Sequence, residues 1–128
     1  MILDFQCGGR PSYRELDRKL QQARSAIQEG RWAILEPDVI HGDLLELDVL
    51  ISELPSLLLE ALGEITPKAY RGNRPPARSY EEAIKNAELF SFVWQSKTLG
   101  CNVYLKFALK GDIMWLVSFH KDRENRET

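Results

Sequence analysis

The sequence predicts an α+β domain, with N-terminal helices packed on a small C-terminal antiparallel β-sheet. Three observations predict it. Leu16, Leu20, Ala23 and Ile27 recur at spacings of three and four, the period of a single buried helical face. The stretch from Val39 to Ile65 is dense in Leu and Ile. From Leu89 onward apolar residues alternate with others, as on strands, and helices followed by strands is an α+β order.

The elements follow in order. The first helix spans about 12–29: Ser12 is placed to cap it, Glu15 stands three residues on as a capping-box partner, and Gly30 suits the position just past its end. Arg31–Leu35 is either a short strand or an apolar link. Pro37-Asp38 opens a second helical region, which Pro55 divides, because proline lacks an amide donor and disfavours helical geometry in the residue before it. Two helices result, roughly 38–53 and 55–64. Their leucines and isoleucine, including Leu44, Leu45, Leu50, Ile51, Leu54, Leu58 and Leu62, are expected in the core. Residues 66–80 hold three prolines, a glycine and the cations Lys68, Arg71, Arg74 and Arg78 with no acid, and form a basic loop. Ser79 and Glu82 have capping-box spacing for a short helix near 80–87. Strands are expected at 89–95, 101–109 and 113–119, the last nearly all apolar as a central strand is. Gly111-Asp112 joins the last two as a hairpin. The chain reads as a single domain, 1–128: helices over about 12–65, basic loop 66–80, sheet about 88–120 and a frayed charged tail, 121–128.

Bulk properties narrow the function. A chain of 128 residues carries one sizeable core and is short for two. Its 44% hydrophobic and 28% charged content is that of a globular protein rather than a disordered one. No apolar run approaches the roughly 18 residues that span a bilayer. Met1–Cys7 has no basic n-region and includes Asp4, which argues against a secretory signal. Cys7 and Cys101 have neither CxxC spacing nor a matching His cluster, which argues against zinc and fits a reducing compartment. Residues 1–65 carry 6 Lys+Arg against 12 Asp+Glu, and residues 66–128 carry 11 against 7. A polyanion would meet the second half. The isoelectric point of about 5.7 is low for a nucleic-acid binder.

The strands carry the chemistry. Gln95, Tyr104, Lys106 and His120 sit on segments that otherwise read as core, and polar side chains in such places point to function. Loop parity decides which of them share a face. A two-residue Gly111-Asp112 turn sets Tyr104 opposite Phe119 and sends His120 to the other face. A three-residue loop, Lys110–Asp112 or Gly111–Ile113, puts Tyr104 and His120 together. It lines one face with Asn102, Tyr104, Lys106, Ser118 and His120, and the other with Val103, Leu105, Phe107, Trp115, Val117 and Phe119. The second set is a coherent core, so the odd loop is expected. A face with His, Tyr, Lys and Gln beside a basic loop suits metal-independent RNA cleavage. That reaction needs a base for the ribose 2′-OH, an acid for the leaving 5′ oxygen, and cations for the phosphorane.

Trp94-Gln95, Val103-Tyr104-Leu105-Lys106 and Val117-Ser118-Phe119, in that order, resemble the C-terminal half of MqsR-type toxins, within the RelE-like mRNA interferases. The likeness extends more weakly to Ile27-Gln28-Glu29-Gly30, the Leu-rich stretch and Pro67-Lys68-Ala69-Tyr70, covering roughly two-thirds of the chain. The resemblance implies a RelE-like fold and the toxin of a type II toxin-antitoxin system: a cytoplasmic bacterial endoribonuclease acting on mRNA, free or on the ribosome. It implies a cognate antitoxin protein as partner, and neither metal nor cofactor. Cleavage residues would be Gln95, Tyr104 and Lys68, with His120 where the family has its second lysine and Lys121 one step later. Extra residues before the first helix and in 71–88, and the acidic composition, depart from the family.

With that resemblance, the catalytic candidates are His120 as general base or acid, Tyr104 as proton donor or substrate-orienting group, Gln95 and Lys68. RNA contacts fall to Lys106, Arg71, Arg74, Arg78 and Lys121. A homodimer is compatible with the sequence, and no membrane partner is expected. The plain alternatives are a solvated His120 at a strand end, Tyr104 as an ordinary strand tyrosine and Lys106 as an edge-protecting charge. Together they describe a non-catalytic protein-binding or regulatory module with a RelE-like fold, which the acidic composition fits better.

Overall fold

The computed structural model describes residues 9–123. Its elements are α1 (Tyr13–Gln28), β1 (Trp32–Ile34), α2 (Pro37–Glu46), α3 (Leu54–Glu64), β2 (Phe90–Ser96), β3 (Cys101–Lys110) and β4 (Ile113–Lys121). Single 3-10 turns lie at Ile51–Glu53, Pro67–Ala69 and Glu82–Ile84. The sheet order is β1-β4-β3-β2. β2, β3 and β4 form the antiparallel sheet that the sequence predicts. Residues 31–35 take their strand option: β1 lies parallel to β4, Trp32 beside Met114 and Ile34 beside Leu116, so the sheet is mixed at that edge.

Helix ends explain where the sequence-based boundaries held. Ser12 Oγ accepts the Glu15 amide at 3.1 Å, half of the capping box. The main partner of the Glu15 carboxylate is Arg10, with the Ser12 backbone amide a weaker one. The carboxylate takes Arg10 Nη2 at 2.6 Å, and the same nitrogen reaches Glu88 at 2.9 Å, tying the start of α1 to the approach to β2. At the other end Gly30 (φ +76°) is left-handed. Its amide donates to Ile27 O at 3.1 Å and the Arg31 amide to Ala26 O at 2.7 Å, the paired bonds of a Schellman cap. α2 stops seven residues short of the expected 53 by the same device. Asp48 takes φ 60°, its amide donates to Leu45 O, and the Val49 amide to Leu44 O. Aspartate tolerates this region without advertising it as glycine does. Pro55 lies in the first turn of α3, where a missing amide costs nothing.

The Arg10 guanidinium holds the Glu15 carboxyl below the ordinary carboxylate range, against an opposing effect of burial. A depressed folded value means that Glu15 stabilises the fold above its unfolded pKa of about 4.3 and ceases to as pH falls through the folded value. Arg10 is half exposed, so Glu15→Gln is expected to cost about 0.2–1 kcal/mol at pH 7. Urea titrations at pH 7 and pH 3 check it; a deficit that persists unchanged at pH 3 contradicts the assignment.

All three helices contribute to the core on one face of the sheet: Leu16, Ile40, Leu44, Leu54 and Leu58 are fully buried with Phe92, Leu105, Phe107 and Phe119. Phe92 and Phe107 stack at 6.1 Å, and Tyr70 meets Phe92 edge-on at 5.7 Å. Trp94 Nε1 donates to Glu64 Oε1 at 2.9 Å, closing α3 onto β2. The leucine-rich stretch is only partly core: Leu45, Leu50 and Ile51 are exposed.

The expected helix at 80–87 does not form. Arg78 and Glu88 make an isolated bridge, the Ser79 amide donates to Ala87 O, and the Asn86 amide to Ser79 O. These bonds clamp the segment's ends together and leave room for one 3-10 turn. Ser79 Oγ accepts the Glu81 amide instead of capping a longer helix.

The β3–β4 hairpin corrects the sequence reading and keeps its consequence. The loop is the two-residue turn, Lys110 opposite Ile113, with Gly111 (φ 60°) and Asp112 (φ 63°) both left-handed as a type I′ turn requires. A β-bulge then shifts the register: Phe107 pairs with Leu116 but Lys106 with Ser118, leaving Val117 as the extra residue. The bulge does what a three-residue loop would have done, and Tyr104 pairs with His120. Trp115 and Val117 leave the expected core face; Met114 and Leu116 occupy it, Trp115 pairs with Ala108, and Val117 is half-buried. Deleting Val117 removes the extra residue without altering any pairing, so it is expected to cost about 1 kcal/mol or less and to keep the Tyr104–His120 contact. Nuclear Overhauser contacts between the two rings check this; their loss with the fold intact contradicts the register.

Residues 121–123, expected to belong to the frayed tail, are structured. Lys121 belongs to β4, and Arg123 pairs with Asp43 and Glu46 of α2 at 2.9 and 3.3 Å. Residues 124–128 of the expected tail, like Cys7, lie outside the described residues.

Candidate functional site

The register builds the site row by row. Val93, Tyr104 and His120 are cross-strand neighbours; Ser91, Lys106 and Ser118 form the next row, and Gln95 with Asn102 another. Their parity opposes that of Phe92, Trp94, Val103, Leu105 and Phe119, which are buried under the helices. These rows therefore make up the outer face of the sheet. Gln95 and Asn102 are exposed there, and Tyr104, Lys106, Ser118 and His120 are half-buried.

Tyr104 and His120 stack with ring centroids 5.0 Å apart and planes 17° from parallel. His120 Nδ1 lies 2.8 Å from the Lys121 carbonyl oxygen. A carbonyl only accepts, so Nδ1 carries the proton and donates, and in the neutral ring Nε2 keeps its lone pair. Among the described residues no protein group engages Nε2. The Tyr104 hydroxyl is 3.2 Å from Ser91 Oγ, and Lys106 Nζ is 6.0 Å from the Tyr104 ring centroid. Gln95 is a diagonal neighbour of Tyr104, about 7 Å away by strand spacing.

The basic loop divides. Tyr70 anchors it: buried and paired with Phe92, its hydroxyl donates to Asn73 O at 2.5 Å, and burial pushes its phenol pKa up. The Arg71 amide donates to Ser91 O at 2.8 Å, so the chain here runs as an extra edge beside β2. Alternation from the inward Tyr70 directs Arg71 toward the outer face, where its guanidinium bonds back to the loop, Nη1 donating to Tyr70 O at 3.2 Å and reaching Lys68 O at 3.5 Å. Arg74 instead lies over the Tyr70 ring at 5.1 Å and donates to Pro11 O, and Arg78 donates to Asn86 O. Both hold the loop's own shape. Lys68 is exposed on its 3-10 turn, and Lys121 alternates to the helical side, opposite Val103. Among the described residues no interaction joins Lys68, Arg74, Arg78 or Lys121 side chains to the ring pair.

The structure thus gathers His120, Tyr104, Lys106 and Gln95, with the Arg71 backbone on the neighbouring edge and its guanidinium turned to its own loop. Sequence reasoning missed Ser91. Its signal was legible: it stands between Phe90 and Phe92, on the parity of Val93 and Gln95. The far end of this face is covered. Ile84 and Ala108 are fully buried yet outside the main core cluster, and Lys110 Nζ donates to Lys85 O at 2.8 Å, placing the 79–88 loop there.

No family model matches the chain, and no curated protein matches it. Among the described residues no helix is long and apolar enough to cross a membrane.

Proposed function

We propose that the outer face is the active surface of a metal-independent endoribonuclease acting on mRNA, the toxin of a toxin-antitoxin pair, as the resemblance to MqsR-type and other RelE-like toxins implies. One observation carries the reading: an imidazole stacked on Tyr104, with Nδ1–H fixed by a backbone carbonyl and Nε2 unengaged among the described residues, on a solvent-reachable face beside Lys106. His120 Nε2 takes the ribose 2′-OH proton. The 2′ oxygen attacks phosphorus, the bond to the 5′ oxygen breaks, and the Tyr104 hydroxyl protonates that oxygen. The imidazolium then releases its proton to solvent, and the phenolate regains one from solvent. Lys106 and Arg71 stabilise the phosphorane charge, and Gln95 orients a phosphate or base. The protein would work in the cytoplasm under a cognate antitoxin.

The purified chain is expected to cleave single-stranded RNA in the presence of EDTA, leaving 2′,3′-cyclic phosphate and 5′-hydroxyl ends. With two or three phosphate contacts, binding should fall with salt at a log–log slope of about −1.4 to −2.1. RNA left intact, both naked and in translation extracts, would refute the reading. The exposed apolar residues near the α2–α3 connection favour a second one, a non-catalytic protein-binding module with this fold.

A further inference from the structure

Leu45 and Leu50 are each 63% exposed and Ile51 is 40% exposed, although they belong to the richest apolar stretch of the chain. Single exposed leucines are ordinary. Leu50 and Ile51 stand in the chain between Val49 and Ser52, which help to line an open groove of about 760 Å³ whose apolar lining is Leu47, Val49, Leu57 and Leu99. Exposed apolar side chains beside a groove of mixed polar and apolar lining mark an interaction surface. The charged side chains lining the groove are Asp48, Glu53 and Glu60, with no Lys or Arg.

We propose that this groove docks a basic amphipathic helix of a partner protein. Its apolar stripe would cover Leu50, Ile51 and the groove lining, and its Lys or Arg side chains would meet Asp48, Glu53 and Glu60. The groove is lined chiefly by side chains from the α2–α3 connection, α3 and the β2–β3 turn rather than by a free strand edge, which suits a helix in a groove and not strand addition. The acidic excess of residues 1–65 would steer a basic partner to the same side. A second copy fits poorly: a two-fold contact would bring the same three acids against one another. The groove is on the helical side of the sheet, so this proposal stands apart from the nuclease reading.

The test is selection of a displayed library of helical peptides on the immobilised full chain. Enriched sequences are expected to carry Leu or Ile at i, i+3, i+4 and i+7 with Lys or Arg flanks. Leu50→Ser and Glu60→Lys, both at exposed positions, are each expected to weaken the best peptide about tenfold or more, with unchanged circular dichroism. No enrichment, enrichment of acidic sequences, or affinity indifferent to both substitutions overturns the proposal. So does sedimentation showing a dimer that Leu50→Ser dissolves, because the occupant is then a second copy. The readout is binding, so it is indifferent to whether the chain cleaves RNA.

Discussion

Replacing His120 by alanine is expected to lower RNA cleavage about 10²–10⁴-fold, the usual contribution of a positioned general base, while leaving the fold intact. The side chain is half-buried at a strand end, and its one hydrogen bond among the described residues goes to the adjacent backbone carbonyl. Its loss therefore strips little from the core. The measurement is single-turnover cleavage of a labelled oligoribonucleotide, with urea unfolding alongside. His120→Lys separates charge from basicity: it restores the lysine that the family resemblance implies there, but a protonated ammonium cannot accept the 2′-OH proton. A rate unchanged in His120→Ala removes the imidazole from the mechanism.

Phe119→Ala is expected to be the most destabilising single substitution near the site, by about 3–5 kcal/mol. Phe119 is fully buried, packs 6.3 Å from the Trp94 ring and stands directly between Ser118 and His120 on β4. Domains of this size hold about 5–15 kcal/mol in all, so the variant should unfold at much lower urea. Where it remains folded, cleavage should fall too, because the core contact that fixes the strand beneath His120 is gone. A loss below about 1 kcal/mol would mean that the 118–120 alternation is misplaced.

Much of the fold was legible because its signals are local. The α1 stripe, Ser12 cap and Gly30 stop are each written within a few residues, and so are the strand alternations. What escaped depends on a backbone conformation that its residue does not advertise, or on pairing across more than one turn. Asp48 ends α2 in a left-handed conformation that its side chain does not announce. The 80–87 helix lost to a clamp between the residues that flank it, Arg78 with Glu88 and Ala77 with Leu89. The hairpin is the instructive case. Setting Val103, Leu105 and Phe107 on the face of Phe119 demanded one extra residue, and that demand was readable. Its location was not: Gly111-Asp112 is a strong two-residue turn, so the extra residue went into the strand as Val117. Among the site residues, those on strands came together because alternation is a strict rule. The loop cations did not follow such a rule, and Arg74 and Arg78 serve Tyr70 and Asn86 instead.

The central claim concerns where RNA sits, and it can be read without turnover. A 2′-deoxy-substituted oligonucleotide, which lacks the attacking hydroxyl, would be titrated into isotope-labelled chain and amide and side-chain shifts followed. The account predicts saturable shifts confined to Arg71, Ser91, Gln95, Tyr104, Lys106, Ser118 and His120, with the helical layer silent. Shifts clustered on α1–α3, or none at all, would contradict it.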